Sequence, residues 1–435
     1  MSANVTFGDA SRQRAGIFRE RNLSVEAPRD SSLLRNADSL AFDLTADQRE
    51  ILDQADRFGR RELYPLAERM DAEEFWPEDA FPKIGEAGFF GVTVPRRYGG
   101  AEVSALTVAE AFRMLSAADP SIGQIPQNHF CWLPAFANGA PAQAEFFFSR
   151  VLAGDRIGNA HSEDTKKRPG DYEHRLAKVD GGWTITGRKY YSTGAVFAQW
   201  IPFIAHFGEG EERKSFLFFV EATADGVEVI DDWDGMGQRT TASGTTLFQN
   251  VFVPDGHVLP MIAATDEGRS FALNANLIHA AIDVGIAEEA LADARRYILE
   301  NNRPWTGNPH DEHAKEPFVV REFGKLGVKA RTAAISLREA ARRIDGARAN
   351  PSRDSVIAAR LAIADARLLA SDAATSISDQ FFLLTGGRAT LGKHDLDRHW
   401  RNARTHSLHD PLRWKEFHPG NFYLNGIVPP PGSYI

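Results

Sequence analysis

The residues best suited to chemistry lie near the end of the chain, in the run His399-Trp400-Arg401-Asn402-Ala403-Arg404-Thr405-His406-Ser407-Leu408-His409-Asp410-Pro411. Histidines, an aspartate and two arginines fall within thirteen residues, with Trp414 close behind. An acid–base group, anion binders and flat apolar surfaces together suit a site for a charged aromatic cofactor. Histidine is the natural proton donor, because its ordinary pKa of about 6.5 lies near working pH. Asp410 would orient the His409 ring or raise its basicity. The plainer alternative is that His409 caps a helix or bonds to backbone.

The elements that must position these residues follow from composition and pattern. A chain of 435 residues can bury a large core and is long enough for two or three domains. The 43% hydrophobic and 25% charged content is that of an ordinary globular protein. A net charge of −9 argues against a nucleic-acid partner, which calls for a basic footprint. The single cysteine, Cys131, excludes an internal disulfide and fits a reducing cytoplasm. No apolar run reaches the length of a membrane helix, and residues 1–42 read as a polar N-terminal arm.

A helical domain is expected over 43–154. It opens with Thr45 as N-cap and Gln48 three residues on, a capping-box spacing. A middle antiparallel β domain is expected over 155–262: Trp183–Gly187 reads as a strand edge, and 201–207, 215–220 and 245–253 read as strands. From 263 to 435 the pattern is a helical bundle with a C-terminal tail. Its long helices are expected near 270–302, 315–348 and 352–385, the last ending at Gly386-Gly387.

This order of domains resembles the acyl-CoA dehydrogenase superfamily: a helical N-terminal domain, a β domain and a C-terminal four-helix bundle, an α+β fold. The motifs that carry it are Leu44–Gln48, Gly91–Pro95 through Tyr98-Gly99-Gly100, Gly235–Arg239 with Val251–Pro254, and Gln380 through Gly386-Gly387. In the dehydrogenases a catalytic glutamate follows the stretch equivalent to Trp400–Leu408. His409 stands there in this chain, and Ala275 occupies the second place for a base. That departure, with Asn402–Pro411, Gly235–Gly244, Tyr190–Gly194 and Arg303-Pro304-Trp305, resembles the dibenzothiophene monooxygenase branch.

The resemblance implies a two-component monooxygenase. It would use O2 and reduced FMN, in preference to FAD, delivered by a separate NAD(P)H-dependent flavin reductase, and act through a C4a-hydroperoxyflavin. The substrate would be a small or medium apolar molecule oxygenated at sulfur, nitrogen or an aromatic carbon. His409 and Asp410 would flank the reactive face, with Ser192 and Ser243 near the flavin. Arg303 and Arg388 would bind its phosphate, a role the guanidinium fork suits. Ser162, Trp305, Gln380 and Gly387 would also contact the cofactor, the last two across the interface of a homotetramer. Gln124, Asn128, His129 and Trp233 would line the substrate end. Gln124 and Asn128 stand where sulfur-oxidising members carry histidine and tyrosine, so the substrate differs from theirs.

Plainer roles compete for each residue: salt bridges for the arginines, turns for the serines, core packing for Trp233. Two rival activities remain at this level. One is a flavin oxidase with Asp410 as base, the other an acyl-CoA dehydrogenase with Glu163 as base. A non-catalytic binding protein is a third reading. His394, His399, His406 and His409 accompany no HExxH or cysteine pair, so no metal site is expected.

Overall fold

The computed structural model describes residues 44–77, 80–167, 171–208, 213–261 and 271–430. The expected arm over 1–42 lies outside them. The first helices are α1 (Ala46–Phe58), α2 (Ala67–Glu73), α3 (Ala80–Glu86), α4 (Ala105–Ala118), α5 (Pro120–Gln124), α6 (Gln127–Trp132) and α7 (Pro141–Leu152). The α1 capping box forms as read: Thr45 accepts from the Gln48 N–H, and Gln48 Oε1 accepts from the Thr45 N–H.

Among the described residues seven strands follow: β1 (Arg175–Val179), β2 (Gly182–Lys189), β3 (Trp200–Phe207), β4 (Lys214–Glu221), β5 (Val227–Ile230), β6 (Thr245–Pro254) and β7 (Val258–Pro260). They form two antiparallel sheets, ordered β1-β2-β6-β5 and β3-β4-β7. Trp183–Gly187 therefore lies within an inner strand, β2, which pairs with β1 on one side and β6 on the other. Phe203, Phe218 and Phe248 meet between the sheets, and Phe203 stacks on Phe218 at 4.9 Å. Each fully buried Phe adds about 2–3 kcal/mol through removal from water.

The C-terminal helices are α8 (Phe271–Asn301), α9 (Pro317–Ala349), α10 (Arg353–Gln380), α11 (Phe382–Thr385), α12 (Asp397–Ser407) and α13 (Arg413–Asn425). α8, α9, α10 and α12 pack as the bundle. Small residues let α9 and α10 approach closely: Ala333, Ala340, Ala341, Ala366, Ala370 and Ala373 are all buried. The expected helix over 352–385 is broken once, at buried Phe381, whose N–H is shared between Ile377 O and Asp379 O. Gly386, at φ +72°, ends the short α11 that follows. Among the described residues, no helix is long and apolar enough to cross a membrane.

Buried charges tie the helical layers together. Arg113 on α4 bonds Glu110 and reaches Glu288 on α8 at 2.5 Å, while Arg338 on α9 reaches Glu110 at 2.9 Å. Buried histidines join the helical and β domains. His129 Nε2 donates to Phe90 O at 2.8 Å and Nδ1 accepts from the Ile157 N–H at 3.1 Å.

Burial lowers His129 from 6.5 to about 4, and burial with the Lys189 charge does the same for His174. An unfolded chain protonates both near 6.5, so it binds more protons than the native state between about 4 and 6.5. Stability should therefore fall as pH drops through that window. Urea midpoints at pH 7 and pH 5 check this, and a flat profile would contradict it.

Candidate active site

On the β-domain side, the loops before β3 and between β5 and β6 converge. Ser192 is buried and held by its N–H to Gly244 O at 3.0 Å. A chain of buried hydroxyls runs from Thr193 to Ser243 to Thr241, at 2.7 Å each, and Thr241 donates to Gln238 O. Trp233 Nε1 donates to the same carbonyl at 2.9 Å, and the Trp233 ring meets Tyr191 at 5.9 Å. Tyr191, Gln238 and Ala242 all have φ between +47° and +54°, a conformation that costs energy for non-glycine residues. Strain gathered around one pair of loops marks a site whose shape is imposed by its surroundings.

This loop layer sits on both helical domains. Gly194 lies against Ile125, just past α5. At Gly237, a Cβ would lie 2.1 Å from Arg401 O, so only glycine lets the loop rest on α12. The Gln238 N–H donates to Asn402 Oδ1 at 2.6 Å. One turn along α12 from Asn402 stands His406, which leads into the helical half of the site.

That half is a closed ring of ionisable side chains. Arg367 on α10 donates to Asp283 Oδ2 on α8 at 2.7 Å and to Asp410 Oδ1 at 2.8 Å. Lys415 also binds Asp410. Asp283 Oδ1 accepts from His406 Nδ1 at 2.5 Å, and His406 Nε2 lies 3.0 Å from His279 Nδ1. The His279 ring meets the His409 ring at a centroid distance of 4.0 Å. His409 Nδ1 lies 3.6 Å from Asp410, an ion-pair distance beyond hydrogen-bond reach, which closes the circuit. With neutral imidazoles, two carboxylates balance Arg367 and Lys415. Of the three histidines only His409 is open, with its side chain 48% exposed.

Burial alone would raise the Asp410 carboxyl. The adjoining His409, Arg367 and Lys415 overcome that and hold it well below the usual carboxylate range. Asp410 is thus an orienting anion and a poor proton acceptor. Glu163 is also committed, 2.7 Å from Lys189 and 3.0 Å from His174 Nδ1, and it accepts from the Glu173 N–H. Burial would raise it, but the Lys189 hydrogen bond and the Glu173 N–H keep it below its ordinary value.

The expected site residues divide into two groups. Ser192, Ser243, Trp233, His409 and Asp410 belong to the linked loops and ring just described, and Ser162 joins them as the partner of Tyr190, whose N–H donates to Ser162 O. Gln124 is buried in α5 and Asn128 half-buried in α6, helices that pack on α8. His129 has both ring nitrogens engaged by backbone, which leaves none to bind a substrate.

Arg303, Trp305, Gln380, Gly387 and Arg388 gather elsewhere and are exposed. Asn302 and His313 both bond Leu384 O there, tying the two segments together. Some 22 residues of α8 separate His279 from Asn301, about 33 Å along the helix axis.

His279, Asp283, Arg367 and Lys415 were not legible as site residues. The available signal was the spacing of His279 and Asp283, four apart within an apolar stretch of α8.

Comparison with known proteins agrees with this architecture. The family models for the N-terminal, middle and C-terminal domains of acyl-CoA dehydrogenase match residues 45–155, 165–251 and 277–414. The dibenzothiophene monooxygenase of Mycolicibacterium goodii is 31% identical over 80% of this chain and 87% of its own. This chain is an acyl-CoA dehydrogenase superfamily member of the dibenzothiophene monooxygenase-like branch. A second relative of the branch, the probable FMNH2-dependent monooxygenase SfnC of Pseudomonas putida, is 28% identical over 81% of this chain and 89% of its own. The solved structure of methanesulfinate monooxygenase MsuC from Pseudomonas fluorescens superposes with a TM-score of 0.81 at 27% identity, covering 90% of this chain and all of that one.

The residues present fit the flavin that this superfamily branch implies. Among the described residues, buried polar atoms without partners include Ser192 Oγ, Asn159 Oδ1, both amide atoms of Gln238 and Gln124 Oε1. Unpaired buried polar groups are costly, and a flavin edge offers donors and acceptors to match them.

Arg367→Met would leave buried Asp283 with only His406 as partner and Asp410 with Lys415 but without its guanidinium, at a cost of about 3–5 kcal/mol, whereas Arg303→Met at the surface should stay within about 0.5 kcal/mol. Urea denaturation of both variants checks this. Equal small losses would show that Arg367 does not hold the ring.

Proposed function

We propose that this chain is a two-component monooxygenase. It would use O2 and reduced FMN from a separate NAD(P)H-dependent flavin reductase to oxygenate a small apolar molecule at a sulfur centre. The observation that carries the reading is His409, an open imidazole 3.6 Å from Asp410, a carboxylate that Arg367 and Lys415 hold ionised; by resemblance it stands where the dehydrogenases carry their glutamate. Both carboxylates that a dehydrogenase or oxidase would use, Asp410 and Glu163, are locked in ion pairs. The names of the dibenzothiophene, methanesulfinate and FMNH2-dependent relatives support sulfur chemistry and FMN.

Bound reduced flavin would supply two electrons to O2. The residues of this chain do the rest. Ser192 and Gln238 would hold the polar edge of the ring, Trp233 and Tyr191 would wall it, and His409 would donate a proton at the oxygen. The exposed group of Arg303, Trp305, Gln380, Gly387 and Arg388 would complete the site of a neighbouring subunit by holding the cofactor's phosphate end. Exposed apolar residues beside it, Trp305, Phe318 and Leu383, suit such burial in a homotetramer. Gln124, with its free Oε1, would meet a polar substituent of the substrate. The lone buried cysteine suits a reducing cytoplasm.

With NADH, a flavin reductase and FMN, the protein should convert an aromatic or alkyl sulfide to a product carrying one atom from 18O2, read by mass spectrometry. His409→Phe should lower that rate by about 10²–10⁴-fold, the usual contribution of a positioned acid. Bleaching of bound oxidised flavin by substrate alone, without reductase or oxygen, would instead establish the oxidase or dehydrogenase activity.

A further inference from the structure

The hydrogen-bond order inside the charged ring assigns a role to a residue that the proposed reaction has not yet used. Asp283 is engaged by Arg367, so its second oxygen can only accept, and His406 Nδ1 must carry the hydrogen of that 2.5 Å bond. In a neutral His406, Nε2 is then a lone pair. The hydrogen of the 3.0 Å contact consequently sits on His279 Nδ1, which leaves His279 Nε2 as a lone pair as well. No hydrogen bond engages that Nε2 among the described residues, and the His279 ring faces His409 at 4.0 Å. His279 also shares a face of α8 with Ala275, one turn away, where a dehydrogenase-type second base would stand.

We propose that Asp283, His406 and His279 form a proton relay whose open end is His279 Nε2, on the His409 side of the site. Burial first, with the fixed charge of Arg367 beside it, holds His279 well below the ordinary imidazole value, so its resting ring is neutral. When a proton arrives, an N–H bond forms at His279 Nε2. The Nδ1–H bond breaks and its proton passes to His406 Nε2. The positive charge then rests on His406 against the Asp283 carboxylate. The reverse shift returns the proton to the site.

The need for such a holder rests on the monooxygenase reading. One oxygen atom enters the product, and the other leaves as water with two electrons and two protons, both supplied by reduced flavin. Those protons leave the flavin at one place and are needed at another. His409 presents one while the relay stores the other.

Neutron diffraction from deuterated crystals of the full chain tests the assignment without any turnover. Deuterium should occupy Nδ1 of His279 and Nδ1 of His406, with none on His279 Nε2; deuterium on His279 Nε2 would overturn the relay. A second test is His279→Asn, which keeps a polar partner for His406 and removes the open nitrogen. It should lower kcat by about 10²-fold and raise the solvent isotope effect, with substrate KM and FMN affinity within about twofold of wild type. Unchanged kcat, or equal losses in kcat and FMN binding, would also overturn it. Should no oxygenated product form with the wild type, the proposed reaction fails while the neutron map still decides the relay.

Discussion

The two-pronged grip of Arg367 on Asp283 and Asp410 is the interaction on which the rest of the site depends. All three groups lie among packed helices, where an unpaired charge costs several kcal/mol and a fork that satisfies two carboxylates at once removes two such costs. The grip fixes α10 to α8 and to the turn after α12. The three imidazoles of the ring hang from the grip's two ends: His406 and His279 from Asp283, His409 beside Asp410. Lysine could not replace it, because a single ammonium lacks the planar spread that reaches both partners.

This arrangement also leaves the dehydrogenase fold without a free base at Asp410 or Glu163. Removing a carbon-bound proton needs a free carboxylate near the substrate. Asp410 is held ionised by Arg367 and Lys415, and Glu163 by Lys189 and His174, so neither competes for a proton. The exposed imidazole of His409 and the buried one of His279 remain, ring against ring, to carry protons. The β-domain loops contribute strain and unpaired polar atoms, and the α8–α10 core contributes rigidity.

Much of the fold was legible in the sequence because its signals are local. The Thr45–Gln48 cap, the three long helices and the strands at 201–207, 215–220 and 245–253 each follow from short-range pattern. The misreadings have nonlocal causes. The neighbours of β2 depend on β6, some sixty residues away, so 183–187 reads as an edge only when seen alone. The break at Phe381 follows from tertiary burial that no propensity encodes. His409 and Asp410 were visible as a motif, but Arg367 and Asp283 were single charges on helices that look like any others. Their meaning arises only when α8, α10 and α12 come together. His129 shows the converse: a histidine in a promising segment whose two nitrogens are consumed by distant backbone.

A crystal structure of the FMN complex tests the account most directly. The flavin ring should lie between Ser192 and His409, with Arg367 still bridging Asp283 and Asp410 and Arg303 or Arg388 of a neighbouring subunit at the phosphate. A flavin bound elsewhere, or a His409 ring turned away from it with the Arg367 bridge opened, would contradict the account.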